Sequence, residues 1–292
     1  MDVSVVYVNY KSEELTKNSI RSVLEQTKEL EFEIFVVDND SQDDSIENIE
    51  KEFPQINIIK NNTNAGFGTA NNLAIRQTKG KYILCLNTDT ILMNNAIKLM
   101  FDFMEKEENR NIGACGCYLV DKDLQPSNCG GLLPSVSALI WKFGFRKLCK
   151  KYYAKKYVGK ITKETKDIYT DIGYITGADL FLRKSVLDET GLYDENLFMF
   201  FEDSDLCKRI KDKGYKLALI EDGQIQHLEG KSTKNPLNKK IWFKTSEMYY
   251  FRKHFPHQLW LVKLIYLILY LFDWLILRNK DSRELIKVIL NG

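Results

Sequence analysis

The chain has 292 residues, 44% hydrophobic and 28% charged, a balance that excludes a disordered polypeptide and allows a sizeable core. Its 42 basic and 40 acidic side chains leave a net charge of +2, without the basic excess a nucleic-acid binder uses to neutralise phosphates. Six cysteines form no CxxC pair and no Cys/His spacing suited to structural zinc. Several sit in apolar runs such as Ile83-Leu84-Cys85-Leu86, which reads as reduced thiols in a cytosolic protein. Met1-Asp2-Val3-Ser4 lacks the basic n-region of a signal peptide, so the bulk of the chain is expected inside the cell.

In chain order, strand-like runs at 3–8, 32–37, 56–60 and 82–86 alternate with helix-period segments at 12–26, 44–52 and 70–77. Ser12 is well placed to cap the first of these helices. Strands interleaved with helices imply parallel pairing through crossovers, an α/β, Rossmann-like half. Beyond Leu86 the pattern loosens, with a helix expected at 96–106 and strands at 112–120, 168–175, 178–183 and 217–220. These are expected to continue the same sheet as a mixed one.

Four polar clusters stand at the ends of predicted strands: Asp38-Asn39-Asp40-Ser41, Asn64-Ala65-Gly66-Phe67-Gly68 running on to Asn71, Asn87-Thr88-Asp89-Thr90, and Glu202-Asp203-Ser204-Asp205. The carboxyl ends of strands are where open α/β sheets bind ligands, and glycines let backbone approach a ligand closely. Each cluster alone also suits turns and helix caps, since Asp and Asn satisfy nearby backbone N–H groups. Together, in this order, they fit a nucleotide-sugar site. Asn9-Tyr10-Lys11-Ser12 after the first strand is not the glycine-rich basic loop of a sugar nucleotidyltransferase, and Gly66 and Gly68 do not complete a GxGxxG dinucleotide site. A non-catalytic glycan-binding module is the remaining alternative.

The runs Val36 to Ser45, Asn64 to Gly68, Leu86 to Thr90, Thr176-Gly177-Ala178 and Phe200 to Cys207 resemble the inverting family-2 glycosyltransferases of bacteria, in particular the rhamnosyltransferase-like branch, over about residues 3–232. The resemblance implies a GT-A fold and transfer of a sugar from a nucleoside diphosphate, with dTDP-rhamnose as the favoured donor and UDP-sugars as alternatives. It implies a saccharide or lipid-linked saccharide acceptor. By resemblance, Asp38 contacts the nucleobase, with Asn9, Asn39, Gly66, Phe67, Asn71, Asn87 and Asp89 around the donor. Thr176, Gly177, Ala178, Glu202 and Asp205 stand near the acceptor. Asp203, second residue of the family's Glu-Asp motif, is the base that takes the acceptor's proton.

The family's metal motif is acidic at both ends, whereas here Asn87 holds the first place. Asp89 then supplies one ligand for Mn²⁺ or Mg²⁺, and His227, which matches a family histidine, supplies a second. A lone histidine is otherwise more often structural. Glu202, Asp203 and Asp205 cannot all face one pocket from a single helical turn, and they also complement the N-terminal dipole of a helix expected at 204–213.

The stretch at 259–277 is nearly long enough to span a bilayer but is interrupted by Lys263 and Asp273, which share a helical face with Tyr266 and Tyr270. Its aromatics and basic flanks suit a helix lying in the headgroup region, and the basic-aromatic tract at 141–163 is a second candidate for lipid contact. A homodimer interface, or packing on the catalytic domain, is the rival reading. The expected organisation is a catalytic domain at 1–235, with a nucleotide half at 1–90 and an acceptor half at 91–235, followed by a membrane-associating helical segment at 236–292. Such a protein works in the cytoplasm, peripherally on the inner face of the cell membrane.

Overall fold

A computed structural model describes residues 1–140, 172–228 and 236–292. The tract at 141–163, Cys149, the first residues of the strand expected at 168–175 and the residues just after Leu228 lie outside the described residues.

The chain opens with β1 (Val3–Asn9), α1 (Glu13–Gln26), β2 (Phe32–Asn39), α2 (Ser45–Glu52), β3 (Asn57–Asn61), α3 (Phe67–Ile75) and β4 (Tyr82–Leu86). The four strands pair in parallel in the order β3-β2-β1-β4, as a strand–helix alternation requires, because parallel neighbours need a crossover. β1 and β4 are apolar and almost wholly buried, the character of strands covered on both faces.

There follow β5 (Thr90–Leu92), α4 (Ala96–Glu105), β6 (Ile112–Val120), β7 (Gly130–Gly131), α5 (Val136–Ile140), β8 (Tyr174–Ile175), β9 (Asp179–Arg183), α6 (Lys184–Thr190), α7 (Glu202–Asp212) and β10 (Lys216–His227). The sheet extends as β4-β9-β6-β10-β5 to eight strands, with β9 antiparallel to β4 and β6, and β5 antiparallel to β10. The second half therefore continues the first as a mixed sheet, except that β8, the described end of the strand expected at 168–175, pairs with β7 in a separate two-stranded ribbon. One apolar cluster covers each face: Ile20, Ile49 and Met100 pack on Val5 and Leu84 on one side, and Ala74, Leu187 and Leu206 on Val6 and Ile83 on the other.

Three local differences from the sequence reading have physical causes. β10 runs well past Ile220, because a register shift between Ile220 and Gln224 breaks the alternation on which the shorter strand was read. Helices α3 and α7 start earlier than expected, each preceded by a left-handed residue, Gly66 at φ 85° and Phe201 at φ 67°, with no side-chain cap to mark the start. Ser12 does precede α1, but its hydroxyl donates to Asn9 Oδ1 (3.1 Å) and does not cap.

The C-terminal helices α8 (Pro236–His254), α9 (Leu259–Leu275) and α10 (Lys280–Asn291) pack on one another and on Leu197 and Phe201. The polar stripe of α9 faces the protein. Tyr266 is buried and donates to Glu247 Oε1 of α8 (2.9 Å), Asp273 accepts from Asn279 (2.8 Å) and Ser282, and Lys263 donates to the Leu290 carbonyl (3.4 Å). The opposite face, with Trp260, Leu264, Ile268, Phe272 and Leu275, is exposed. A helix apolar and long enough to cross a membrane thus turns its polar side inward and its apolar side outward, the reverse of an ordinary surface helix.

Candidate active site

Because β1, β2, β4 and β10 run in one direction, their carboxyl ends open on one edge of the sheet, where β5 and β9 begin. That edge gathers Asn9, Asp38, Asn39, Asn87, Asp89, Ala178 and His227 from positions far apart in sequence.

At its first end, Asn9 is fully buried and its amide is used within the protein. Nδ2 donates to Asp38 Oδ1 (3.2 Å), Ser41 Oγ (3.2 Å) and Ser45 Oγ (3.0 Å), while Oδ1 accepts from Ser12 and Thr16. Asn9 therefore holds Asp38 in place, and its side chain does not reach out to a ligand. Asp38 also accepts from the Ser41 N–H (3.3 Å). Asn39 is likewise internal: Nδ2 donates to Asn64 Oδ1 (3.0 Å) and the Gly66 carbonyl (3.3 Å), and Oδ1 accepts from Asn61 and the Ala65 N–H. These bonds fix the loop that leads into α3. Asn71 spans one turn of α3, donating to the Phe67 carbonyl (2.9 Å). Gly66 is required, since its φ is positive and a Cβ there would overlap the Phe198 carbonyl. That carbonyl accepts the Phe67 N–H (3.0 Å), which joins the loop before α3 to the one before α7.

At the other end, His227 pairs with Thr90 across β10 and β5, and its Nε2 lies 3.3 Å from Asp89 Oδ1. The Asp89 carbonyl accepts the Leu228 N–H (2.9 Å), so backbone and side chains together keep the two residues side by side. No group of three or more His, Cys, Asp or Glu side chains that could hold a metal occurs among the described residues. One imidazole and one carboxylate fit a divalent cation that takes its other ligands from diphosphate oxygens and water.

The two ends meet around Asp203. Asn87 N–H donates to the Ala178 carbonyl (3.0 Å), and Gly177 N–H donates to Asp203 Oδ2 (3.3 Å). Asp203 Oδ1 accepts from the Ser204 N–H (2.6 Å). Burial raises the Asp203 carboxyl above the ordinary aspartate value despite these N–H donors, and burial together with the Asp203 charge pushes Glu202 up to about 8. The Asp203 charge thus works against ionisation of Glu202, and paired acids set apart in this way take different roles.

Both acids follow a strained loop. Phe200 and Phe201 have φ of 69° and 67°, a left-handed conformation that costs about 1–3 kcal/mol per bulky residue. Aromatic packing on α8 offsets it: Phe200 and Phe201 lie 5.6 and 5.1 Å from Phe243, and Phe201 lies 5.5 Å from Tyr250. Ser246 of the same helix donates to the Met199 carbonyl (2.8 Å).

Asp205 does not share the cleft with Asp203. It is fully buried against α8, bonded to Arg209 Nε (2.8 Å), Lys253 Nζ (2.7 Å) and His254 Nε2 (2.7 Å). Burial alone would raise it, but the His254 hydrogen bond and the Arg209 and Lys253 charges bring it below the usual range. It anchors α7 to α8.

Asp203 and Glu202 line a cavity of about 340 Å³ that also takes in Asn128, Thr176, Phe243, Glu247 and Phe251. The sequence reading named Thr176 near the acceptor, but it missed the α8 wall. Phe243, Glu247 and Phe251 recur at four-residue spacing, which puts them on one helical face and is the signal that could have found them.

A family model described as glycosyl transferase family 2 matches residues 4–191. An uncharacterized glycosyltransferase of Methanocaldococcus jannaschii is 27% identical over 77% of this chain and 70% of its own length. The N-acetylglucosaminyl-diphospho-decaprenol L-rhamnosyltransferase of Mycobacterium tuberculosis is 22% identical over 68% of this chain and 67% of its own length. Two further curated relatives are matched over only 36% and 15% of their lengths. Among solved structures, a mannosyltransferase of Pyrobaculum calidifontis in complex with GDP-Man and Mn²⁺ aligns with a TM-score of 0.57 at 15% identity, over 86% of this chain and 63% of that one. The shared architecture is the GT-A fold.

Proposed function

The chain belongs to glycosyl transferase family 2, and on that premise we propose that it transfers a sugar, with inversion, from a nucleoside diphosphate to a saccharide or lipid-linked saccharide acceptor. The carrying observation is Asp203: a desolvated carboxyl with a raised pKa, held by Gly177 N–H and lining a cavity beside the carboxyl-end edge of the sheet. The M. tuberculosis relative, an L-rhamnosyltransferase by name, favours rhamnose as the transferred sugar; the resemblance in sequence implies dTDP-rhamnose as the donor, with UDP-sugars as the alternative.

In this reading the donor lies along the edge from Asp38, past the Gly66-Phe67 backbone, to Asn87 and Asp89. Asn9, Asn39 and Asn71 position those groups from behind. Asp89 and His227 would hold Mn²⁺ or Mg²⁺, which when bound offsets the charge growing on the departing diphosphate. Asp203 takes the proton of the attacking hydroxyl as the glycosidic bond breaks. Thr176, Gly177 and Ala178 border the acceptor beside it. Residues 1–90 serve the nucleotide and 91–235 the acceptor, while within 236–292 the helix α8 also walls the cavity. Thermal shift against dTDP- and UDP-sugars with Mn²⁺ tests this reading: at least one donor raises the melting temperature, because a ligand of the native state stabilises it. No shift with any of them contradicts it.

The outward apolar face of α9 suits the cytoplasmic surface of a membrane. Trp260 and Trp274 lie along it, and Arg278, Lys280 and Arg283 follow it, the arrangement of a helix lying in the headgroup region. A span across the bilayer would strip Tyr266 and Asp273 of their partners on α8 and α10. Ile268→Asp with Phe272→Asp, both at exposed positions, is expected to shift the protein from the pellet to the supernatant when sedimented with phosphatidylglycerol vesicles. Unchanged sedimentation, or loss of a homodimer in its place, contradicts membrane attachment through this face.

A further inference from the structure

The loop that leads to Glu202 and Asp203 is gripped before and after those two acids by one side chain. Lys253 of α8 places Nζ 2.6 Å from Asp194 Oδ2, early in the loop, and 2.7 Å from Asp205 Oδ1, on the first turn of α7. Asp205 is fully buried and the Asp194 side chain is only 12% exposed, so neither contact is a solvent-washed surface pair of the kind that contributes little. Burial alone would lower the Lys253 ammonium, but its bonds to Asp194 and Asp205 raise it above the ordinary lysine value. Burial would likewise raise Asp194, but bonds from Lys253, Asn196 and Tyr249 hold it well below the usual carboxylate range. The bridge is therefore ionic at neutral pH.

Between its two anchors the backbone is strained. Phe200 and Phe201 hold left-handed φ of 69° and 67°, and a loop carrying that cost relaxes unless its surroundings over-determine it. Its other side is pinned to α3. Asn72, which is buried, donates from Nδ2 to the Tyr193 carbonyl (2.9 Å) and accepts the Tyr193 N–H at Oδ1 (3.0 Å). Those bonds, with the one from Phe67 N–H to the Phe198 carbonyl, fix the loop to the nucleotide half, whereas Lys253 ties Asp194 to Asp205 across it. Neutralising buried charge does not by itself require this lysine. Asp205 also has Arg209 Nε and His254 Nε2 at 2.8 and 2.7 Å, and Asp194 has Tyr249 (3.0 Å) and the Asn196 N–H (3.0 Å).

We propose that Lys253 is a positioning residue for sugar transfer: by bridging Asp194 and Asp205 it holds the Phe200–Phe201 loop, and with it the Asp203 carboxyl, in place for the attacking hydroxyl. This deepens the function proposed above and rests on it for the role of Asp203. Lys253 does not line the cavity, so it acts through the loop. It stands in the basic run Arg252-Lys253-His254 ahead of α9, which suits lipid attraction when read in sequence, but its ammonium is engaged by two carboxylates of the catalytic domain.

The full chain is compared with Lys253→Met, Asp194→Asn, the pair of them, and Lys253→Arg. The probes are dTDP-rhamnose and UDP-glucose with Mn²⁺, water serving as acceptor and free nucleoside diphosphate as the readout. Lys253→Met and Asp194→Asn are each expected to lower kcat about 10- to 10²-fold, the scale of a misplaced reacting group, with the donor KM within about twofold. The pair is expected to lose no more than the larger single effect, and Lys253→Arg to recover most of kcat. Amide exchange across residues 194–201 is expected to speed up about tenfold or more in Lys253→Met while β1 and β4 keep their protection. Wild-type kcat in both single variants, a donor KM that rises in step with the loss of kcat, or unchanged exchange across 194–201 overturns the role. So does wild-type kcat in Asp194→Asn alone, because Lys253 would then matter only as a counter-charge for Asp205; this variant also carries the test if Lys253→Met does not fold. The exchange data need no turnover, so they decide on the loop even if Asp203→Asn proves fully active and the base is refuted.

Discussion

Asp203→Asn is expected to lower the rate constant of sugar transfer by about 10²–10⁴-fold, the usual contribution of a positioned general base, while nucleoside diphosphate affinity stays within about twofold. The amide keeps the shape of the carboxylate, but Gly177 N–H and Ser204 N–H go to different carboxylate oxygens, so its single oxygen accepts from only one of them, and it cannot take the acceptor's proton. The pH profile carries a second signature. Burial raises the Asp203 carboxyl above its ordinary value, so the rate of the unsubstituted enzyme climbs with pH through a midpoint above that of a free aspartate, and this limb vanishes in the variant. Single-turnover kinetics checks both, and wild-type turnover would remove Asp203 from the role of base.

The second large effect is expected at the other end of the edge. Asp89→Ala should weaken donor binding in the presence of Mn²⁺ by about 10²-fold and abolish its sensitivity to EDTA, since a divalent ion on the diphosphate is a major source of leaving-group stabilisation. His227→Ala should cost about tenfold by itself. The two side chains are 3.3 Å apart, so the double variant is expected to lose less than the product of the single effects, as neighbours that serve one ligand do. Titration calorimetry with each variant gives the comparison. Full metal-dependent binding by His227→Ala would assign the second ligand elsewhere, a result with particular weight because Asn87 stands where the family's motif has an acid.

Much of the candidate site was legible as a cluster because its parts sit where strands end. The switch from Phe35-Val36-Val37 to Asp38-Asn39, or from Cys85-Leu86 to Asn87-Thr88-Asp89, is abrupt in sequence, and parallel pairing alone brings such switches to one edge. Which of those side chains face outward was not readable. Asn9 and Asn39 look like ligand groups in the chain, yet their amides are used in holding Asp38 and the loop before α3, a division that depends on contacts between residues more than twenty positions apart. The left-handed Phe200 and Phe201 have no sequence signal at all, since the conformation is one that aromatic residues avoid. It exists because Phe243 and Tyr250 pack against them from α8.

That dependence changes the meaning of the C-terminal segment. Helix α8 supports the loop that carries Glu202 and Asp203, buries Asp205 against Lys253 and His254, and contributes Glu247 to the cavity wall. Glu247 in turn accepts from Tyr266 of α9. The surface proposed to meet lipid is therefore connected to the base by two layers of packed side chains. The polar stripe of α9, read in sequence as an interruption of a membrane helix, is the side that fastens it to the protein.

The account rests on direct displacement at the sugar by a hydroxyl that Asp203 deprotonates, with no covalent sugar on the enzyme. The one-bond C1–H1 coupling of the newly formed glycoside, compared with that of the sugar nucleotide, measures this most directly. Inversion of the anomeric centre is the predicted result, and retention would contradict the mechanism.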